Sequence, residues 1–98
     1  MREPLNEAQI RDALSTLPGW NYGSERLQKT FEFGDFREAI GFIVRIAFCA
    51  EALNHHPELT NVYNRVSISL TTHDAGNRVT ELDVKLATAI ENVLGGSL

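Results

Sequence analysis

The sequence predicts an α+β domain in two layers: a four-stranded antiparallel sheet with helices on one face, in the order α-β-β-α-β-β-α. Three observations carry that expectation. Three segments repeat apolar residues at helical spacing, and each opens on a capping signal. Two pairs of short alternating runs lie between them, each pair close enough to form a hairpin. The chain has 98 residues, 43% of them apolar, which supports one compact core and is too short for two. Residues 1–98 therefore read as a single domain.

The first helix starts at Asn6, whose side chain caps it, with Gln9 completing a capping box. Ile10, Ala13, Leu14 and Leu17 follow at helical spacing, and Pro18-Gly19 stops the element. Trp20-Asn21-Tyr22 reads as a short strand, and Gly23-Ser24 turns the chain. From Leu27 to Phe33 the pattern alternates, with Leu27, Phe31 and Phe33 on one side and Gln28, Thr30 and Glu32 on the other, as a half-buried strand requires.

Asp35 and Glu38 make a capping box for the second helix. Phe36, Ala39, Ile40, Ile43, Ala47, Ala50 and Leu53 form its apolar stripe. Phe42, Val44, Ile46, Phe48 and Cys49 extend apolar character well beyond that stripe. A helix apolar nearly all round must be covered on more than one side. A small domain has little material for that, so Phe36 to Leu53 is expected at a subunit interface. The alternative is a helix covered by the first and third helices of its own chain.

Past Pro57, Thr60 to Asn64 reads as a short strand, with a tight turn near Asn64-Arg65. In Val66 to Thr72 the residues Val66, Ile68 and Leu70 face the core, so Ser67, Ser69, Thr71 and His73 face the other way. Thr80 caps the third helix with Asp83 at the capping-box position. Leu82, Leu86, Ala89, Ile90 and Val93 form its stripe, and Gly95-Gly96 ends it.

A formal charge of −4 and scattered basic residues argue against a nucleic-acid binder. The polar stretch Met1 to Gln9 lacks the apolar core of a signal peptide. Ala39 to Ala50 contains Arg45 and is too short to span a bilayer. Cys49 is the single cysteine, so no intramolecular disulfide forms. A soluble, cytoplasmic protein is expected.

The three histidines are His55, His56 and His73. All lie at element ends and none inside an apolar stripe, which points to a shared site. Pro57 biases His56 towards an extended backbone, so the second helix ends near Leu53 or Asn54 and the two adjacent rings diverge. Diverging rings suit two sides of one substrate better than one ion. No His-x-His or His-x3-His pair places two ligands on one face, so a metal site is not expected. Glu51 precedes His55 by four residues and would lie on the same edge if the last helical turn persists. Cys49 sits mid-helix among apolar residues, where a thiolate is disfavoured. No phosphate loop or dinucleotide fingerprint is present, and no cofactor is expected. Imidazoles without metal or nucleophile point to proton transfer: isomerisation, enolisation or dehydration.

Glu51, His55-His56-Pro57, Tyr63, His73 and Asp83, at this spacing, resemble the pterin-4a-carbinolamine dehydratase family. Asn61-Val-Tyr-Asn-Arg-Val, Thr71-Thr-His-Asp, Gly19-Trp20 and Phe36-Arg-Glu-Ala-Ile-Gly-Phe42 extend the resemblance over nearly the whole chain. Leu59 and Asn54 depart from it, where relatives carry an aromatic residue and an aspartate. The resemblance implies a hydro-lyase that removes water from a 4a-hydroxytetrahydropterin, giving a quinonoid dihydropterin within tetrahydrobiopterin recycling. It implies His55 and His73 as acid and base, with His56 positioning the pterin and assisting. Glu51 and Asp83 would orient the site, and Asn54, Pro57, Thr71, Thr72 and Asp74 would contact substrate. It also implies dimers joined at sheet edges or tetramers joined through long helices. The alternative it carries is a non-catalytic role as a pterin-binding accessory or, in an animal, as the dimerisation cofactor of a transcription factor, with a nuclear as well as cytoplasmic location.

Overall fold

The computed structural model describes residues 3–95. It contains α1 (Glu7–Leu14), β1 (Asn21–Gly23), β2 (Arg26–Glu32), α2 (Phe36–Leu53), β3 (Glu58–Val62), β4 (Arg65–Leu70), a single 3-10 turn (His73–Ala75) and α3 (Glu81–Leu94). The strands form one antiparallel sheet in the order β1-β2-β4-β3. The predicted fold class and element order hold.

Alternation fixes which sheet face is covered. Leu27 and Phe31 of β2, and Val66, Ile68 and Leu70 of β4, are buried beneath the helices. On the opposite face Thr30 and Ser67 share a hydrogen bond of 3.0 Å. Phe42 of α2 stacks against Phe31 (5.0 Å) and Phe33 (4.9 Å), so a run of rings joins helix to sheet. Full burial of such a side chain stabilises by roughly 2–3 kcal/mol.

Capping follows the sequence closely at two of three helices. Asn6 accepts from the Gln9 N–H at 2.8 Å and donates its own N–H to Gln9 Oε1 at 2.9 Å. Thr80 and Asp83 close the same box at α3. At α2 only half of the expected box forms. Asp35 accepts from the Glu38 N–H, but the Glu38 carboxylate reaches Gly34 N (2.9 Å), one residue earlier.

The apolar stripe of α2 is rotated from the predicted one. Ala39, Phe42, Ile46 and Ala50 are buried, flanked by Ile43, Cys49 and Leu53. Phe36, Ile40 and Ala47, expected on the core stripe, are exposed, as are Val44 and Phe48. With apolar residues on both faces, the sequence left the phase open, and packing against β4 and α3 decided it. On α3 the core face includes Ala87 and Asp83 beside Leu86 and Ile90, whereas Ala89 is only partly buried.

Several boundaries moved. α1 ends at Leu14, and Leu17 enters the core from the following turns. Trp20 precedes β1 and is buried, its indole donating to Glu91 Oε2 at 2.8 Å. β3 starts at Glu58, two residues before the expected start. Its two-residue turn to β4 is Tyr63-Asn64, with Tyr63 at φ 52° and exposed. Gly95 caps α3, while Gly96 lies outside the described residues. No helix among the described residues is long and apolar enough to cross a membrane.

Candidate active site

The site begins with how α2 stops. Asn54 takes the left-handed conformation (φ 50°, ψ 44°), and the next N–H, of His55, donates back to Ala50 O at 3.0 Å. This is the Schellman arrangement, in which asparagine replaces the usual glycine. It reverses the chain and turns His55 inward, leaving it 8% exposed. His56, one residue on, stays at the surface. The two rings diverge as Pro57 led us to expect.

His55 Nε2 lies 2.5 Å from Asp83 Oδ1. Asp83 is fully buried in the first turn of α3. Its other oxygen, Oδ2, accepts from the Thr72 hydroxyl at 2.8 Å and the Thr80 N–H at 2.9 Å. A carboxylate accepts, so Nε2 carries the proton. Nδ1 makes no bond to Asp83, and whenever the ring carries only that one proton Nδ1 is an acceptor.

His56 Nε2 meets Glu51 Oε1 at 2.6 Å, in the open. Glu51 therefore orients His56 and not His55, as its four-residue spacing suggested. That spacing presumed a helix continuing to His55, and the left-handed Asn54 ends it first.

His73 does not continue the alternation of β4, which stops at Leu70. It opens the 3-10 turn instead, and its Nδ1 donates to Asn77 Oδ1 at 3.2 Å. That turn is closed by the Thr72–Arg78 bridge, with Thr72 N donating to Arg78 O at 2.9 Å.

These pieces enclose a cavity of about 530 Å³, within the range of small-molecule sites. Its walls are Leu53, Asn54, His55, His56, Thr71, Thr72, His73, Asp74 and Leu82. The three histidines are thus brought to one space, although they come from two chain segments. Of the other predicted residues, Asn54, Thr71, Thr72 and Asp74 line it. Glu51, Pro57 and Asp83 do not, and Asp83 lies behind His55. Tyr63, part of the motif, is at a hairpin tip and also outside the wall. Leu53 and Leu82 supply apolar wall that the sequence assigned only to helix stripes. Thr80, read only as a cap, supports Asp83 through its N–H. Among the described residues no three His, Cys, Asp or Glu side chains converge to hold an ion; each imidazole has its own separate partner.

The family model for pterin 4 alpha carbinolamine dehydratase matches residues 3–93. The chain belongs to this family. Relatives within it include a protein of Opitutus terrae, 54% identical over 91% of this chain and 92% of its own length. One of Christiangramia forsetii is 47% identical over 96% of both. Both are provisionally named pterin-4-alpha-carbinolamine dehydratases. A crystal structure described as the transcriptional coactivator/pterin dehydratase of Brucella melitensis superimposes with a TM-score of 0.88 at 42% identity. The match covers 93% of this chain and 98% of that one. The matched span includes His55, His56 and His73, the three histidines on the walls of the cavity.

Proposed function

We propose that this chain is a hydro-lyase that dehydrates a 4a-hydroxytetrahydropterin to the quinonoid dihydropterin, with imidazoles as acid and base. The observation that carries the proposal is the single cavity walled by His55, His56 and His73, with His55 keyed to a buried carboxylate. The family membership and the names of the relatives supply the substrate class.

In the reaction the C4a–O bond breaks, and the hydroxyl leaves as water after taking a proton from an imidazolium. The N5 lone pair forms the C4a=N5 bond, and the N5 proton passes to a neutral imidazole. One proton is given and one is taken, so the pair ends the cycle with its charges exchanged and resets through solvent. His55, through the nitrogen left free by Asp83, and His73, through the nitrogen left free by Asn77, take these two parts. His56 holds the pterin, and Leu53 and Leu82 exclude water from one side of the ring. Asn54, Thr71 and Asp74 offer polar contacts at the rim. Such proton transfers contribute about 10²–10⁴-fold each. The reaction follows any hydroxylation that leaves a hydroxyl on C4a, and so serves tetrahydrobiopterin recycling. The cytoplasm, where a free thiol such as Cys49 stays reduced, suits it.

The proposal extends to assembly. Phe36, Ile40, Val44 and Phe48 form an exposed apolar face along α2. A face of this kind favours burial against a second copy, giving a dimer or tetramer. Stopped-flow absorbance of a freshly generated 4a-carbinolamine tests the activity. Decay is expected to accelerate in proportion to protein concentration. Decay at the spontaneous rate sinks the proposal.

A further inference from the structure

Behind His55 the hydrogen bonds form a buried chain whose direction follows from proton counting. Thr72 is 3% exposed, and Thr80 and Asp83 are fully buried. The Thr72 hydroxyl owns one proton, and Asp83 Oδ2 takes it at 2.8 Å because a carboxylate oxygen only accepts. Thr72 Oγ1 lies 2.7 Å from Thr80 Oγ1. With its own proton spent, Thr72 accepts there, so Thr80 donates. Thr80 Oγ1 in turn accepts the Leu82 N–H at 3.2 Å. Every bond therefore points one way, from the first turn of α3 through two hydroxyls to Asp83, and each strengthens the next. No buried side-chain nitrogen or oxygen among the described residues lacks a partner.

We infer that Thr72 and Thr80 are positioning residues that fix His55 through Asp83, and that Thr72 locks the two halves of the site to each other. Thr72 touches the cavity, but its hydroxyl proton is committed inward, so it does not donate to a ligand. Its backbone meanwhile closes the turn that carries His73: its N–H donates to Arg78 O and its carbonyl accepts from Asn77 N at 3.0 Å. One residue thus braces, with its side chain, the carboxylate that holds His55, and sets the place of His73 with its main chain. This inference rests on the proposed dehydration for its kinetic consequence, but not for its geometric one.

Thr72→Val removes the hydroxyl and keeps the volume. The expected effect is a fall in kcat of about tenfold, the low end of what partners behind a functional imidazole contribute, with little change in KM. Thr72→Ser should restore kcat. In a His55→Gln background Thr72→Val should cost nothing further, because it acts through the missing ring. An undiminished further loss in that background overturns the inference, as does wild-type kcat in Thr72→Val. Nitrogen-15 spectra of the three imidazoles provide a readout without turnover. His55 should show its Nε2–H held by Asp83 in the wild type and shifted ring-nitrogen signals in Thr72→Val, where that carboxylate has lost one of its partners. Unchanged His55 signals in the variant overturn the inference even if the protein shows no dehydratase activity, and that lack of activity alone would overturn only the proposed reaction. Should Thr72→Val fail to fold by circular dichroism, Thr72→Ala provides the same comparison without the inserted methyl.

Discussion

His55 and Asp83 are partners, but their removal should have opposite consequences. His55 faces the cavity, so His55→Ala takes away an imidazole and leaves Asp83 a space that water can fill from the pocket side. The expected result is a loss of about 10²–10⁴-fold in kcat with the helical circular dichroism kept. Asp83 faces only protein. Asp83→Ala strands the Thr72 hydroxyl, the Thr80 N–H and the His55 ring, and each orphaned buried group costs about 1–3 kcal/mol. The expected result is a large drop in melting temperature. Equal stability of the two variants would contradict the distinction. The sequence supplied the histidines; its spacing read Asp83 as a capping residue, and only the family resemblance implied that Asp83 also orients the site. The capping reading is correct, since Asp83 Oδ2 does accept the Thr80 N–H. What spacing alone did not supply is the second task of the same carboxylate. The contact with His55 spans 28 positions and exists only once α3 packs beside the end of α2.

Among the elements, hairpins and helices were readable because period and capping are local properties. The rotation of α2 was not, because its apolar residues run round both faces. The difference shows in which charged pairs matter. Lys29 of β2 meets Glu91 of α3 at 2.6 Å, with side chains only 17% and 21% exposed. Trp20 Nε1 donates to the same Glu91 oxygen, and Lys29 also donates to Pro18 O at 2.7 Å. This cluster ties α3 to the sheet and to the turn before β1. Arg26 and Glu58 pair on the sheet surface, with Glu58 71% exposed. Glu91→Ala leaves a largely buried ammonium unpaired and should cost about 3 kcal/mol. Glu58→Ala should cost under about 1 kcal/mol. Urea titrations of both variants, read as midpoint shifts at constant m, measure the ratio. Comparable shifts would mean that burial does not govern these pairs.

For the molecule as a whole, the over-apolar second helix was the one sequence feature that a single chain did not absorb. The stripe predicted for the core was partly the wrong one, yet the excess itself was real. Ala39, Phe42, Ile46 and Ala50 fill the interior, and Phe36, Ile40, Val44 and Phe48 remain outside. Phe48 is 73% exposed, which is costly for a phenylalanine unless something covers it in solution. The three exposed aliphatic and aromatic neighbours lie at positions four apart, so they form a strip along the helix rather than scattered points. A second copy of α2 laid against that strip would bury all four side chains at once. Phe48→Glu places a charge on the most exposed side chain of such a contact, at one end of the strip, and touches nothing in the core of its own chain. It should therefore convert a larger species to a smaller one in sedimentation velocity while leaving the urea midpoint of the isolated subunit nearly unchanged. The cavity lies at the end of this helix, where Leu53 is its first wall and Phe48 is not among its lining residues, so initial dehydration rates per subunit should survive the change. A wild-type protein that sediments as a monomer at tens of micromolar would remove the assembly from the proposal and leave the chemistry at His55 standing on its own.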